Sequence, residues 1–244
     1  MWSLSAAMLI ENPQPNQRFY HSFDFPDRTV SGDWDLRGRF DEYIGQVQVR
    51  GRTLLDVGAA SGFLSFEAEK RGAHVTSFDA DSADRWQLGP GECIDYAYYE
   101  AMRNSYSYAH AALRSGARAI YGNVYSMADA VEPHDIVLIG QILVHLRDPI
   151  AAIEQSARCA KQTIIIAEGM MDTEEPTAIF TAGRPGYSWW YMSRGIYRQW
   201  LARLGFEVKA FSEAKYRCVV RDEDIAICSL VAERVAPTPQ RPTP

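Results

Sequence analysis

The sequence predicts an α/β protein built around a parallel β-sheet. Short runs rich in β-branched and other apolar residues alternate with helical stretches from about residue 53 to about residue 211, as in successive βαβ units. The first run, Leu54–Val57, continues through small residues into a helix, and the second ends near an aspartate, Asp79. Because ligands of open α/β sheets bind at the carboxyl ends of the strands, we expect a binding site where these two segments meet.

Seven candidate strands follow one another along the chain. They are Thr53–Val57, His74–Phe78, Arg118–Tyr121, Ile136–Ile139, Thr163–Ala167, Glu207–Phe211 and Ile225–Ala232. The helices predicted between them include Phe63–Arg71, Pro149–Cys159 and Arg194–Leu204. A glycine follows the first and third of these helices, and a proline opens the second, which are ordinary stop and start signals.

Two stretches exceed what a minimal βαβ repeat needs. Residues 1–50 precede the first strand, and residues 82–117 are longer than one crossover helix, and both stretches are rich in aromatic residues. A chain of 244 residues that is 47% hydrophobic fits one catalytic domain. We therefore expect an N-terminal extension or lid over 1–50, the domain over 51–235, and a flexible proline-rich tail over 236–244.

The net charge and the cysteine content of the chain limit the classes of partner that we expect. A formal net charge of -6 gives no broad cationic field, which disfavours long nucleic acid. The four cysteines form no CxxC pair and no zinc-type spacing with histidine, which is typical of reduced thiols in an intracellular protein, and no apolar run reaches the length of a membrane span. We expect a cytoplasmic protein that acts on a small-molecule substrate and uses no membrane; a homodimer is left open.

The turn after the first strand is the most informative segment. Between Gly58 and Gly62 every side chain is small, so a ligand can lie against the backbone. A dinucleotide site would have glycine at the position of Ala60, which favours a nucleoside ligand without a pyrophosphate. Asp79 can accept hydrogen bonds from both ribose hydroxyls of such a ligand. Taken singly, the glycines also fit a tight turn, and the aspartate a helix cap.

These segments resemble motif I and the ribose-binding acid of class I S-adenosylmethionine-dependent methyltransferases. The resemblance continues at Tyr121–Tyr125 and His134–Pro149. It implies a Rossmann-like, mostly parallel seven-stranded sheet in the order 3-2-1-4-5-7-6 and S-adenosyl-L-methionine as cofactor. The cofactor-binding residues that it implies are Asp56, Gly58, Ala59, Ala60, Ser61, Gly62, Phe63, Asp79, Ala80, Asn123, Val124, Gly140 and Gln141. Asn123 departs from the more common aspartate, but its amide oxygen can still accept from the adenine amine.

A subgroup is also suggested. Residues 1–50, Asn104–Tyr106, Gly122–Tyr125 and Leu143–Pro149 resemble bacterial methyltransferases related to wobble-uridine tRNA-modifying enzymes and to enzymes of sugar or natural-product pathways. The tRNA enzymes of that group can use a carboxylated cofactor. Their basic anchoring residues have no match in this chain, so the resemblance implies ordinary S-adenosylmethionine.

His145 is the candidate general base. It follows the fourth strand closely, and its intrinsic pKa suits proton removal near neutral pH, although packing or substrate shape is the rival interpretation. The chain lacks the Pro-Pro motif of planar amino-group methyltransferases and a Pro-Cys nucleophile. Gly140 and Gln141 stand where catechol-type enzymes place a metal-binding acid, so we predict no metal.

Aromatic residues outside the βαβ repeat mark a substrate region. Phe19–Phe25 alternates like a short strand, and Gly32–Arg37 leads into the first helix. By resemblance, segments before the first strand and after the fifth overhang the cofactor's methyl group. The candidate substrate-binding residues are Tyr20, His21, Trp34, Arg37, Tyr187 and Trp190. Core packing is the rival interpretation for the aromatic residues.

Three functions follow from these features. The first is methyl transfer to a hydroxyl or amine of a small metabolite of the sugar or natural-product type. The second is tRNA modification, for which Arg184, Arg194, Arg198 and Arg203 offer a small basic surface. The third is a non-catalytic binding module that uses the cofactor fold as a scaffold.

Overall fold

The computed structural model describes residues 16–89, 91–184 and 188–238. Its strands are β1 (Phe23–Asp24), β2 (Thr29–Val30), β3 (Trp34–Asp35), β4 (Thr53–Val57), β5 (His74–Ala80), β6 (Arg118–Gly122), β7 (His134–Gly140), β8 (Ala160–Glu168), β9 (Met170–Met171), β10 (Ala178–Arg184), β11 (Ser188–Ser193), β12 (Phe206–Cys218) and β13 (Glu223–Arg234). Its helices are α1 (Phe40–Tyr43), α2 (Phe63–Lys70), α3 (Tyr96–Ala112), α4 (Pro149–Cys159) and α5 (Arg194–Arg203), and 3-10 turns cover Ala83–Arg85, Val124–Asp129 and Leu143–His145.

A mixed sheet forms the centre of the described residues, with eight strands in the order β3-β12-β13-β8-β7-β4-β5-β6. The strands from β8 to β6 in this order are parallel, whereas β13, β12 and β3 join antiparallel. The predicted count of seven strands is wrong. The eighth, Trp34–Asp35, pairs with the end of β12 and is only two residues long, too short to show a periodicity in the sequence.

The two faces of the sheet bury separate apolar clusters. The central strands β7 and β8 are buried on both faces, and Ile136–Ile139 and Ile164–Ile166 are at most 1% exposed. Such continuous burial is expected of parallel strands covered by helices on both sides. α1, α2 and α3 pack on one face, and α4 and α5 pack on the other. This arrangement leaves the carboxyl ends of the parallel strands as the edge where loops can build a site.

The predicted helix ends have a backbone explanation. α2 and α5 end at Lys70 and Arg203, each one residue before the predicted end. Gly72 and Gly205 then adopt φ values of +89° and +85°, a left-handed conformation that terminates helices and favours glycine. The predicted helix Pro149–Cys159 is confirmed with its boundaries, and Asp148 caps it by accepting from the Ala151 N–H.

The N-terminal region packs on the α2–α3 face. The predicted strand over Phe19–Phe25 is reduced to β1, which forms a short hairpin with β2. Phe23 and Phe25 stack with ring centroids 5.2 Å apart, and Phe25 meets Tyr108 of α3 edge to face at 5.2 Å. The described part of residues 1–50 therefore contributes to a hydrophobic core.

A second, three-stranded sheet in the order β10-β11-β9 lies between β8 and α5 in the chain. The sequence pattern did not predict it, because its hairpin lies outside the βαβ repeat. Among the described helices, none is both long and apolar enough to cross a bilayer. At the C-terminal end, the Arg234 guanidinium donates to the Ala236 carbonyl and the Thr238 hydroxyl, whereas residues 239–244 of the expected tail lie outside the described residues.

Candidate active site

The turn after β4 is held in an unusual backbone conformation. Gly58, Ala60 and Gly62 have φ values of +81°, +50° and +87°. A Cβ added at Gly62 would overlap the Phe66 ring and lie 2.9 Å from Tyr106, so only glycine fits. Ala60 is a non-glycine residue in the left-handed region, which costs energy and is common at functional sites. The turn therefore has a fixed shape with its backbone accessible on one side.

Asp79 ties this turn to the neighbouring strand. Its carboxyl accepts the Ala60 N–H at 2.6 Å and the Ala80 N–H at 2.7 Å. Burial raises the pKa of Asp79, and these two backbone hydrogen bonds and the charge of Arg103 oppose that rise. A carboxylate has about four acceptor positions, so the group keeps capacity for further donors. The two segments that the sequence singled out do meet at the carboxyl edge of the sheet.

A small pocket opens beside Asp79. It is lined by Ala59, Ala60, Ser77, Asp79, Ala80, Tyr99, Met102, Arg103, Tyr106, Ala119 and Tyr121. Four of these are predicted cofactor residues. The sequence interpretation missed the wall formed by α3 and β6, where the Arg103 guanidinium lies 4.1 Å from the centre of the Tyr121 ring and donates to the Tyr99 hydroxyl at 3.2 Å. The aromatic richness of residues 82–117 was its only signal.

Asp56 takes a different role from Asp79. It is fully buried, and its Oδ2 accepts the Ser65 hydroxyl at 2.6 Å while its Oδ1 has no partner. Burial raises the pKa of Asp56 to about 7. The contact with α2 places this predicted cofactor residue beneath the turn, away from the lining of the pocket.

Ser61 and Phe63 contact the N-terminal segment. The Ser61 hydroxyl accepts the backbone N–H groups of Tyr20 and His21, each at 3.2 Å. The His21 ring lies 5.5 Å from the Phe63 ring. Burial lowers the pKa of His21 to about 3, so its imidazole is neutral, and its Nδ1 has no partner. The predicted lid therefore rests directly on the predicted cofactor turn.

The loops after β6 and β7 complete the edge. The Asn123 side-chain oxygen accepts the Tyr125 N–H at 3.0 Å and caps the 3-10 turn that begins at Val124. Gln141 has a φ of +55°, a second non-glycine residue in the left-handed region. A Cβ added at Gly140 would lie 2.9 Å from Leu64 and 3.1 Å from the Tyr43 hydroxyl, so these two side chains pack directly against the backbone at this strand end.

His145 ends the 3-10 turn Leu143–His145 and is half-buried. That turn is anchored by Glu168, whose Oε2 accepts the Leu143 N–H at 3.0 Å. Glu168 is fully buried at the end of β8, and the sequence interpretation missed it because the predicted strand stopped at Ala167.

The two adjacent tryptophans of β11 differ in burial. Trp189 is 7% exposed and donates its indole N–H to the Gln87 carbonyl at 2.6 Å. Trp190 is half-buried and donates to the Arg147 carbonyl at 3.0 Å, and its ring lies 5.1 Å from Phe180. Trp190 therefore covers the loop that carries His145. Tyr187 lies outside the described residues.

The other predicted substrate residues lie in the N-terminal region. The Trp34 backbone N–H donates to the Tyr20 carbonyl at 2.9 Å, and burial raises the pKa of Tyr20. Arg37 forms ion pairs with Asp24 at 2.7 Å and Asp35 at 2.6 Å. Tyr20 is half-buried, whereas the Arg37 guanidinium is engaged with these two carboxylates. No group of three or more potential metal ligands occurs among the described residues.

No family model and no curated protein matches the sequence. Solved structures are similar. A S-adenosylmethionine-dependent methyltransferase from Methanosarcina mazei has a TM-score of 0.56 and 18% identity over 82% of this chain and 99% of that one. Magnesium protoporphyrin IX methyltransferase from Synechocystis, with bound S-adenosylmethionine, has a TM-score of 0.52 and 16% identity over 80% and 76%. The cyclase SpnF has a TM-score of 0.54 and 13% identity over 82% and 81%. The chain has the Rossmann-like methyltransferase fold.

Proposed function

We propose that the protein is an S-adenosylmethionine-dependent methyltransferase that acts on a hydroxyl or amine of a small metabolite of the sugar or natural-product type. One observation carries the proposal. The left-handed turn after β4 is hydrogen-bonded to Asp79 at the end of the adjacent strand, and a pocket opens beside both. This combination places backbone that carries only small side chains next to an acid, which suits a nucleoside ligand.

The residues present fit this cofactor. Asp79 would hold the ribose hydroxyls, and the backbone from Gly58 to Gly62 would support the methionine part. Ala80, Asn123 and Val124 would border the adenine, since they follow β5 and β6 at the same edge. Gly140 and Gln141 would flank the reacting end. The unpartnered Oδ1 of Asp56 lies below the turn and is available to a donor group or a water molecule.

When bound, the cofactor supplies a methyl group on a sulfonium, which is transferred by in-line displacement. The chain must then align the acceptor, exclude water and remove a proton where the acceptor carries one. His145 is the proposed base, on the turn that follows β7. Trp190, Tyr20 and Trp34 would enclose the acceptor, since Trp190 contacts the loop after β7 and the segment of Tyr20 and Trp34 contacts the turn after β4.

The alternatives have weaker support. A tRNA-modifying enzyme needs free basic side chains, but Arg194 pairs with Asp172 and Glu174, and Arg198 pairs with Glu174. Those ion pairs reduce the basic surface near α5. A non-catalytic or differently acting protein on this fold is a real alternative, because fold does not fix activity and a cyclase shares this one.

Two measurements test the proposal. Isothermal titration calorimetry should show one site for S-adenosylmethionine and for its demethylated product, and none for NAD, whose pyrophosphate the Ala60 position disfavours. Radiolabelled S-adenosylmethionine should then transfer its label to members of a metabolite library. Absence of cofactor binding by the folded protein would refute the proposal, and binding without transfer to any compound would favour the non-catalytic alternative.

A further inference from the structure

Glu168 is a buried acid with one unpartnered carboxyl oxygen. Its Oε2 accepts the Leu143 N–H at 3.0 Å, and the backbone N–H groups of Val144 and Gly169 also oppose the rise in its pKa that burial causes, whereas its Oε1 has no hydrogen-bond partner and the residue is 0% exposed. A buried polar atom without a partner costs free energy, so such atoms are rare unless a ligand or water satisfies them. The free Oε1 therefore has a place for a ligand or a water molecule.

The surroundings of Glu168 are aromatic and uncharged. Burial is the first cause that raises the pKa of Tyr43 and Tyr197 well above the usual value, and the negative charge of Glu168 is the second. The same charge also raises the pKa of Tyr20. These three tyrosines, from the N-terminal segment, α1 and α5, therefore lie within electrostatic range of the carboxyl, and Cys228 is its register partner on β13. In the described part of the chain, no basic side chain contributes to the pKa of Glu168, which burial raises to about 8.

The position of Glu168 relates it to the proposed site. Ala167 pairs with Gly140, so Glu168 stands at the carboxyl end of the sheet, one strand from the end of β7. Gly140 has no side chain, and Leu64 and the Tyr43 hydroxyl pack at 2.9 Å and 3.1 Å from where its Cβ would stand. An acceptor placed at the Gly140 end would lie between the cofactor turn and Glu168.

We propose that Glu168 binds the methyl acceptor through its free Oε1 and that this acceptor is an aliphatic amine, an inference that rests on the proposed function. An ammonium group supplies the cation that the described residues do not, and tyrosine rings favour a cation beside them. Tyr20 lies outside the strands and helices, on the segment that contacts the cofactor turn through Ser61.

The proton balance is simple. For an amine acceptor the Glu168 carboxylate, in place of His145, takes one proton from the ammonium, and the freed nitrogen lone pair forms a bond to the methyl carbon. The bond between that carbon and sulfur breaks, and sulfur keeps the electron pair. The product is a methylated ammonium, and the carboxyl proton leaves to solvent as the product departs.

A purely structural role is the rival explanation, in which Glu168 only caps the turn Leu143–His145. Glu168→Gln separates the two, because glutamine keeps an acceptor for the Leu143 N–H but cannot take a proton. The probes are matched pairs that differ only in the acceptor, such as glucosamine with glucose and other amino sugars with their parent sugars, assayed with labelled S-adenosylmethionine.

We expect label transfer to amines and not to the paired alcohols, and a loss of at least 100-fold in kcat/KM for Glu168→Gln with cofactor affinity unchanged within twofold. The wild-type rate should rise with pH through the titration of Glu168, and the variant should lack that limb. Transfer to alcohols, or a variant with wild-type activity, would overturn the proposal while leaving methyl transfer intact. Failure of cofactor binding would instead refute the proposed function.

The pH dependence of protein stability tests the role of Glu168 without any methyl acceptor. Because the pKa of Glu168 is raised in the folded protein, the folded state holds its proton more tightly, and stability from this group falls as pH rises from about 4.5 to about 8. Glu168→Gln should therefore gain stability relative to wild type across that window. A glutamine variant that melts several degrees lower than wild type at every pH would show that the charged carboxylate is structural and would overturn the proposal.

Discussion

The two sides of the candidate site are built differently. The proposed cofactor side, Gly58–Gly62 with Asp79, is fixed by left-handed backbone and by hydrogen bonds from backbone N–H groups. The proposed acceptor side, Tyr20, Glu168 and Trp190, is assembled from side chains of the N-terminal segment, β8 and β11. One side depends on neighbours in the sequence, and the other depends on tertiary packing.

The cofactor side is the more rigid of the two, and the acceptor side is the one that can set substrate specificity. A turn whose shape is set by its own backbone can hold the same ligand in many proteins of one fold, because few side chains take part. A region formed by side chains from distant elements can change its ligand by changing single residues. The unpartnered Oε1 of Glu168 lies on the second side, where a substrate would complete the hydrogen bonding.

On the cofactor side, the largest effect should come from the turn itself. Gly62→Ala forces a Cβ into the Phe66 ring at a φ of +87°, so we expect a loss of roughly 2–4 kcal/mol in unfolding free energy. Gly51→Ala is the matched control, because Gly51 has a φ of +71° with no atom within 4 Å of its added Cβ, and should cost only about 1 kcal/mol. Equal losses in chemical denaturation would show that Gly62 is not sterically required.

Removal of the acid should weaken the proposed cofactor. Asp79→Ala is expected to reduce S-adenosylmethionine affinity at least tenfold, about 1.4 kcal/mol, because two hydrogen bonds to the ribose are lost. Asp81→Ala is the control, since Asp81 lies two residues away and pairs with Arg85 on the surface. Calorimetry compares them, and an unchanged affinity in folded Asp79→Ala would remove this residue from the site.

The tryptophan pair sharpens the comparison on the acceptor side. Trp190→Ala should raise KM or lower kcat for the accepted substrate while cofactor affinity stays within a few-fold, since Trp190 covers the loop after β7. Trp189→Ala, at a buried position, should instead cost roughly 3–5 kcal/mol of stability. If the melting temperature of Trp190→Ala is as low as that of Trp189→Ala, and the variant loses cofactor and substrate binding together, then Trp190 is a packing residue.

The smallest expected effect is that of metal removal. Gly140 and Gln141 follow β7 without a carboxylate, so incubation with EDTA should leave methyl transfer unchanged. Activity that disappears with EDTA and returns with magnesium would contradict this and would place a metal on the acceptor side.

Sequence patterns predicted those parts of the fold that repeat. Thr53–Val57 and Pro149–Cys159 were predicted with their boundaries, because an apolar strand and a proline-started helix carry local signals. The predicted strand Thr163–Ala167 begins three residues late and ends one residue early, which hid Glu168. β3 is two residues long and pairs with the distant β12, and the β10–β11 hairpin lies outside the βαβ repeat, so the alternating pattern predicted neither. The acceptor side was therefore harder to predict than the cofactor side.

One serine connects the two sides. Ser61 belongs to the cofactor turn, yet its hydroxyl accepts both backbone N–H groups that dock Tyr20 and His21. A ligand that shifts Ser61 by binding at the turn also changes the free energy of docking the N-terminal segment. By thermodynamic reciprocity, docking of that segment changes ligand affinity by the same factor. The Ser61 hydroxyl therefore couples ligand binding at the turn to the docking of the N-terminal segment.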